Sequence, residues 1–386
     1  MPGPLHGVKV LDLSRILSGP FCTMLLADMG ADVVKVERPP AGDLARRLGP
    51  TVGAEDTSYF VSVNRGKRSV ALDVFDSARR DDFLRLVERA DVLVENYTPG
   101  AMARAGLDYA ALAPLNPRLI YASISGFGQE GPYAQLPALD AIVQGMGGLM
   151  SVTGEPGGEP LRPGVSLGDS LAGLFAALSI AAALHQRNAT GKGQHLDVSM
   201  LDGQVTLMEN PIGRYFATGA VPKPIGSRHA AAAPFQTFRT ADGYVVVALL
   251  SDDPALWRRF AEALERSSLA DDARFATNRL RVEHRPELEA VLDAAFLERP
   301  TAEWLERLRG AGVPVGPVTN VEELTRDPQV AARGMIVEVP HAELGSWPVA
   351  NTPFRFSRAE TGPAGASPRL GEHTREVFAD WLGESG

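Results

Sequence analysis

The sequence predicts an α/β fold, with a large parallel-sheet domain and a smaller α+β domain. Three observations carry this. Residues 8–13 (VKVLDL) read as a buried strand, Phe21 to Met29 as a helix and Val33 to Glu37 as a second strand, a β-α-β unit complete by residue 37. The same alternation recurs as far as Ser125. Beyond Pro222, Pro224 and Gly226 the pattern changes to a hairpin followed by helices.

The elements follow in order. Ser69 to Asp73 is a strand, Ser77 to Arg89 an amphipathic helix, and Val92–Glu95 and Leu119–Ser125 are two further strands. Ligands in such sheets bind outside the carboxyl ends of the strands. Those ends carry Ser14-Arg15, Glu37-Arg38, Asn96-Tyr97 and Gly126-Phe127. A Pro/Gly lead-in then reaches Asp169, and apolar residues at helical spacing follow it: Leu171, Leu174, Phe175 and Leu178. Thr190 to Gln194 turns into a strand (HLDVSM), and Leu201 to Phe216 is helical in pattern. Phe235–Arg239 and Tyr244–Leu249 flank Asp242-Gly243 as a hairpin, with helices expected at 254–266, 286–298 and 301–311. Met335–Val339 and Phe354–Phe356 are strand-like, and His373 to Trp381 is helical. The resulting division is a large domain over 1–200, a linker over 201–224, a small domain over 225–325, and a segment at 326–386 that returns to the large domain.

Composition narrows the class. The chain has 386 residues, 45% of them hydrophobic, enough for a large core. A net charge of −9 without a basic block argues against nucleic acid as a partner. The single cysteine, Cys22, has no internal partner and lies among Phe21, Met24, Leu25 and Leu26, so a buried thiol in a reducing cytoplasm is expected. No basic n-region precedes an apolar segment at the N-terminus. The most apolar stretch, Leu171 to Leu184, is too short to span a bilayer, so no membrane is expected. The seven histidines lack ligand spacing, and no metal site is expected.

Asp169 carries the sharpest chemical question. At a helix start, Asp is a preferred N-cap and needs no catalytic role. Gly168 beside it, lacking a side chain, suggests that a large substrate can approach the backbone, and a carboxylate so placed can attack an activated acyl group. Gly126-Phe-Gly128-Gln-Glu-Gly131 matches a dinucleotide fingerprint, but Pro132 and a non-helical run follow, so the required helix N-terminus is missing.

A pattern of motifs spans nearly the whole chain. It comprises Gly7-Val-Lys-Val-Leu-Asp-Leu13 with Gly19-Pro20, Ala31-Asp-Val-Val-Lys-Val-Glu-Arg38, Asn64-Arg-Gly-Lys-Arg-Ser69 and Val94-Glu-Asn-Tyr-Thr-Pro-Gly100. It continues through Gly126 to Pro132, Gly168-Asp169, Thr190 to Gln194, and Gly371-Glu-His-Thr374. In this order the motifs resemble the class III CoA-transferases. The resemblance implies a Rossmann-like large domain, a small domain, and a homodimer of two chains interlocked as linked rings. It also implies acyl-CoA and a carboxylic acid as substrates, with no permanently bound cofactor. Asp169 takes the place of the family's nucleophile, which passes CoA through an aspartyl-CoA thioester. Backbone N–H groups near that helix start are the expected oxyanion donors.

The CoA-binding positions are carried over to Arg38, Leu72, Asn96, Tyr97 and Arg104. Three of these have a plainer alternative: Arg38 as a surface partner of Glu37, Leu72 as core, Arg104 as a solvated helix face. Lys67 and Arg68 are weaker phosphate candidates. Tyr97 stands where the carnitine enzymes carry a lysine on CoA. Leu48 replaces the tryptophan of the formyl-CoA:oxalate enzymes, and their tetraglycine loop is absent, which argues against oxalate. Val94 to Tyr97, Pro234 to Phe238 and Asp242 to Val247 are most similar to the succinyl-CoA:dicarboxylate enzymes. Arg228 and His229 either face the acceptor's distal carboxylate or cap a turn. The α-methylacyl-CoA racemases share the fold and use a His-Asp pair; that pair falls on Leu139-Asp140, and Leu139 exchanges no proton. Asp140 stays as a helper or a helix cap. A non-catalytic CoA-binding protein is the third alternative, and an intact Asp169 speaks against it.

Overall fold

The first strand, β1 (Lys9–Asp12), leads through a loop to α1 (Ser18–Asp28) and then to β2 (Asp32–Glu37). The computed structural model describes residues 1–54 and 56–383. The chain forms two compact units: one of residues 1–150, 162–221 and 328 onward, the other of 151–161 and 222–327.

In the larger unit the chain continues through α2 (Ser58–Asn64), β3 (Arg68–Ala71), α3 (Arg80–Arg89), β4 (Val92–Glu95), α4 (Ala101–Arg104) and β5 (Ile120–Ser125). It then runs through α5 (Asp140–Met146), α6 (Leu167–Thr190), β6 (Gln194–Ser199), α7 (Met200–Leu207) and α8 (Glu209–Thr218). Its sheet has the order β3-β2-β1-β4-β5-β6, with every pair parallel. This is the doubly wound arrangement, and its strand order reverses between β1 and β4.

Both faces of the sheet are covered because the strands are apolar on both sides. Val10, Val92, Val94, Ile120 and Ala122 point to the layer of α1 and α6. Their neighbours Leu11, Leu93 and Tyr121 point to the other layer, with Phe83, Leu86 and Val87 of α3. The period of two assigns each strand residue to one layer. Val377, Phe378 and Trp381, on a late helix (Thr374–Leu382), complete that second layer.

The second unit holds a three-stranded antiparallel sheet. β7 (Phe235–Arg239) and β8 (Tyr244–Ala248) form the expected hairpin, and β9 (Val315–Pro317) pairs on the far side of β8. Phe238, Val245, Val247, Trp257, Phe260, Phe296 and Trp304 form its core. Helices at Pro254–Ala263, Arg285–Phe296 and Thr301–Gly310 match the expected positions; Asn278–Glu283 is an additional one.

The helical pattern expected from Leu201 to Phe216 is present as α7 and α8. Two expectations need correction. Phe354–Phe356 is not a strand; Phe356 makes only an isolated bridge to Ala359. α6 has 24 residues and enough apolar character to cross a membrane. What argues against a span is packing, since Ala172, Ala176, Ala177, Ile180 and Ala183 are buried in the core shared with α1.

Candidate active site

The switch point between β1 and β4 positions the candidate site. Beyond β1 the chain runs Leu13-Ser14-Arg15-Ile16-Leu17 before α1 begins, and beyond β4 it runs Asn96-Tyr97. The first loop is pinned from several sides. Lys35 Nζ donates to the Ser14 carbonyl at 2.9 Å, and Ile16 N donates to Asp43 at 3.0 Å. Asn96 brackets Arg15, accepting from its N–H at 2.8 Å and donating to its carbonyl at 2.8 Å. These contacts hold Ile16 in the left-handed region, at φ 68°, which a β-branched residue rarely adopts.

Beneath the loop lies a buried charge network. Lys67 Nζ contacts Asp12 at 2.9 Å, the Asn64 side chain at 2.9 Å and the Pro20 carbonyl at 3.0 Å. Lys35 pairs with Asp43 at 2.9 Å. Burial alone would raise Asp12, but Lys67, Lys35 and the hydroxyls of Ser14 and Thr23 outweigh it and hold it well below the usual carboxylate range. Lys67 is pushed down to about 8, chiefly by burial. Lys67 is thus a structural ion and cannot meet a phosphate. Arg68 is likewise engaged, by Asp32, Glu376 and Asp380.

Asp169 is the third residue of α6. The N-cap is Ser166, so the capping expectation for Asp169 does not hold. Its carboxylate instead faces the Ser18 side chain at the start of α1, which helps to hold its value down. Ser18 Oγ in turn accepts from Asn96 Nδ2 at 3.2 Å. Burial, reinforced by the nearby Asp140, raises Asp169 to about 6, while Ser18 and Arg162 limit the rise.

Asp140 starts α5 but caps a different helix: its Oδ1 accepts from Gly168 N of α6 at 2.8 Å. Its Oδ2 accepts from Gln144 at 2.7 Å and from Arg162 at 2.7 and 3.1 Å. Gly168 therefore reads differently from expectation. A side chain there would meet Val143 at 2.7 Å and Asp140 at 3.2 Å, so the glycine admits α5 and not a substrate. Its N–H is committed to Asp140, and that of Ser170 to Ser166, which removes two of the expected oxyanion donors. The first turn of α1, with Ser18 at its head, brings a second helix N-terminus to the carboxylate.

Two cavities lie along this edge. One of about 420 Å³ is lined by Ser14, Arg15, Arg38, Leu72, Phe75 and Tyr97. The other, about 150 Å³, is lined by Arg15, Ser18, Asn96, Tyr97, Leu139 and Asp169. They share Arg15 and Tyr97 as lining, so the two cavities adjoin at these side chains, with Arg38 in one and Asp169 in the other. Arg15 lies over the Tyr97 ring at 4.6 Å, and Phe75 packs edge-on to the same ring at 5.2 Å. Glu95, pushed up to about 7 by burial, accepts from Tyr97 N at 2.8 Å and so braces this wall from below.

The sequence-predicted residues fall as follows. Arg38, Leu72 and Tyr97 line the larger cavity; Asn96, Tyr97 and Asp169 line the smaller. Arg38 is largely exposed and pairs with Asp73 at 2.8 Å, whereas Glu37 is taken by Arg46. Leu72 is buried yet forms cavity wall. Arg104 is exposed on α4, its guanidinium close to Gly100, and lines neither cavity. Arg228 and His229 belong to the second unit, where Glu289 engages Arg228 at 2.8 and 2.9 Å and Phe235 stacks on His229. Sequence reasoning missed Ser18, Tyr59 and Arg162. Arg15 was visible only as a strand-end residue, and none of the other three carries a local signal.

A sheet crevice with cationic residues at one end and a raised carboxylate at the other suits a long anionic thioester. The model for CoA-transferase family III matches residues 5–374. The chain belongs to CoA-transferase family III. The mouse succinyl-CoA:glutarate CoA-transferase is 40% identical over 382 residues, covering 98% of this chain and 86% of that protein. The acetyl-CoA:oxalate CoA-transferase of Acetobacter aceti is 45% identical over 337 residues, covering 87% and 86%. A CAIB/BAIF family protein from Brucella suis superposes with a TM-score of 0.89 at 40% identity, covering 99% of this chain and all of that one. The transferase is thus an α/β enzyme acting on CoA thioesters, and the racemase and non-catalytic alternatives fall away.

Proposed function

We propose that this transferase moves CoA from succinyl-CoA to a short dicarboxylic acid, with Asp169 as the covalent nucleophile. The observation that carries the reading is the pair of adjoining cavities, one lined by Arg38 and Arg15 and the other by Arg15 and Asp169. That arrangement suits CoA, with the phosphates at the guanidinium end and the thioester at the carboxylate. Arg38, Leu72, Asn96 and Tyr97 shape it, and Arg104 flanks its loop. CoA is a substrate here.

In the first step an Asp169 oxygen attacks the thioester carbonyl, and the C–S bond breaks to give a mixed anhydride and CoA thiolate. The thiolate then attacks the aspartyl carbonyl and expels the donor carboxylate, leaving aspartyl-CoA. The acceptor carboxylate attacks that thioester, and the returning thiolate completes the exchange and regenerates Asp169. No proton is gained or lost overall. Splitting the exchange into covalent steps is what makes it accessible. With Asp169 at about 6, most molecules carry the attacking carboxylate at neutral pH. Asp140 acts as a helper by orienting the start of α6.

The names of the mouse and Acetobacter relatives, glutarate and oxalate, support a short dicarboxylate. Two copies form an interlocked homodimer, in keeping with the exposed apolar residues on α5 to α8. A reducing cytoplasm suits Cys22, which is buried and unpaired.

The test is mass spectrometry of the CoA pool after incubation with succinyl-CoA and isotopically labelled acids. New labelled acyl-CoA is expected with wild type and none with Asp169→Ala, which still binds CoA. An active Asp169→Ala protein overturns the assignment.

A further inference from the structure

Arg162 is unused by the steps above, and its setting is unusual. It lies seven residues before Asp169 in an irregular segment, yet three hydrogen bonds fix its guanidinium. Nε and Nη2 both reach Asp140 Oδ2, at 3.1 and 2.7 Å, and Nη2 also reaches Ser166 Oγ at 3.2 Å. Asp140 is itself saturated by Gln144 and Gly168, so the fork has little freedom to turn. The side chain is nevertheless 38% exposed. Among the described residues its Nη1 edge meets no protein acceptor. The guanidinium lies within electrostatic reach of Asp169, and so does Tyr59 of α2, which also feels Asp140 and Arg162.

A cation needed only to neutralise Asp140 would be expected to lie buried beside it, as Lys67 does beside Asp12. Here one edge of the guanidinium is anchored on Asp140, whose other oxygen holds Gly168 next to Asp169, and the opposite edge is open. Arginine presents donors in a rigid planar fork, so it can hold one carboxylate and receive another.

The geometry points to Arg162 as the residue that binds the second carboxylate of the acyl group and thereby selects dicarboxylic over monocarboxylic substrates. This rests on the transferase reading above, with Asp169 at the thioester. An acyl chain attached at Asp169 and extending toward Arg162 would place its distal carboxylate on Nη1. A monocarboxylic acyl chain would leave that open edge to water.

The experiment compares two thioesters of equal chain length that differ in one group: succinyl-CoA, ending in a carboxylate, and butyryl-CoA, ending in a methyl. Release of CoA to a common acceptor is measured as kcat/KM for wild type and Arg162→Gln. The expected result is a preference for succinyl-CoA in wild type that falls about 10- to 100-fold in the variant, the range for one charge-assisted hydrogen bond. Arg162→Lys should keep part of the preference. An equal loss on both thioesters would mean that Arg162 acts only through Asp140, and it would overturn the proposal, as would an unchanged ratio. Should Arg162→Gln be inactive on both, calorimetric binding of succinate against butyrate at saturating CoA reads the same discrimination, and an unchanged succinate preference there would also overturn it. Failure of the transferase reading would be seen separately, as wild type giving no exchange with any acid.

Discussion

At the scale of single residues, the proposed mechanism depends on keeping Asp169 partly out of water while leaving it able to attack. Its folded value of about 6 lies above the ordinary 3.8, chiefly through burial. Two consequences follow from the sign. Attack needs the ionised form, so kcat/KM should fall about tenfold per pH unit below that value, read from a rate profile over about pH 5 to 8. A flat profile through 6 would contradict the assignment. For stability, ionised Asp169 is a cost at neutral pH that disappears as pH falls through 6 toward 3.8. The rise from 3.8 to about 6 bounds that cost at about 3 kcal/mol, less to the extent that the cavity admits water. Asp169→Asn should therefore abolish exchange and raise the thermal unfolding midpoint at pH 7, the trade-off expected of a strained site. A lowered midpoint would mean that the carboxylate is a structural group. The sequence made Asp169 and Asn96 visible because they follow a helix start and a strand end. Ser18, Tyr59 and Arg162 were hidden because each reaches Asp169 only through tertiary packing.

At the scale of elements, the site exists because α1 and α6 approach very closely. A side chain at Gly173 would lie 2.5 Å from the Ser18 carbonyl and 3.2 Å from Cys22 N, both rigid backbone atoms. Neither can yield without moving α1, and Ser18 at its head would move with it. Gly173→Ala should destabilise the large unit by about 1–3 kcal/mol through overpacking. It should also lower the exchange rate, because the Ser18 side chain shifts away from Asp169. Denaturation midpoints and exchange rates on the same preparation test this; loss of stability with full activity would uncouple the helix contact from the site. The strands of the sheet were legible nearly to the residue, since buried parallel strands read as continuous apolar runs between turn signals. The caps were not. Asp140 and Asp169 both lie in the first turn of a helix, yet one caps its neighbour and the other caps nothing and faces Ser18, and no spacing rule distinguishes an own cap from a crossed one.

At the scale of the whole molecule, the sheet and its two helical layers account for the core but leave one set of helices unfinished. Ile142 and Met146 on α5, Leu174 and Leu178 on α6, Val205 and Leu207 on α7, and Tyr215 and Phe216 on α8 are all exposed, Phe216 by 80% and Leu178 by 64%. Scattered apolar residues need no explanation, but eight on four consecutive helices of one unit amount to surface that a monomer would have to keep in water. Obligate dimer interfaces have this character, apolar like a core cut in two. The exposed face of α6 also accounts for a helix that passes for a membrane span by composition: its small residues pack on α1, and its leucines Leu174 and Leu178 are exposed. The interlocked homodimer therefore predicts a sedimenting mass of about twice 41.2 kDa at micromolar concentration. It predicts further that Leu178→Glu with Phe216→Glu weakens assembly, since two charges would be buried without partners. A wild-type chain that sediments as a monomer would show that water or some other surface covers these helices, and the ring arrangement would then be lost with it.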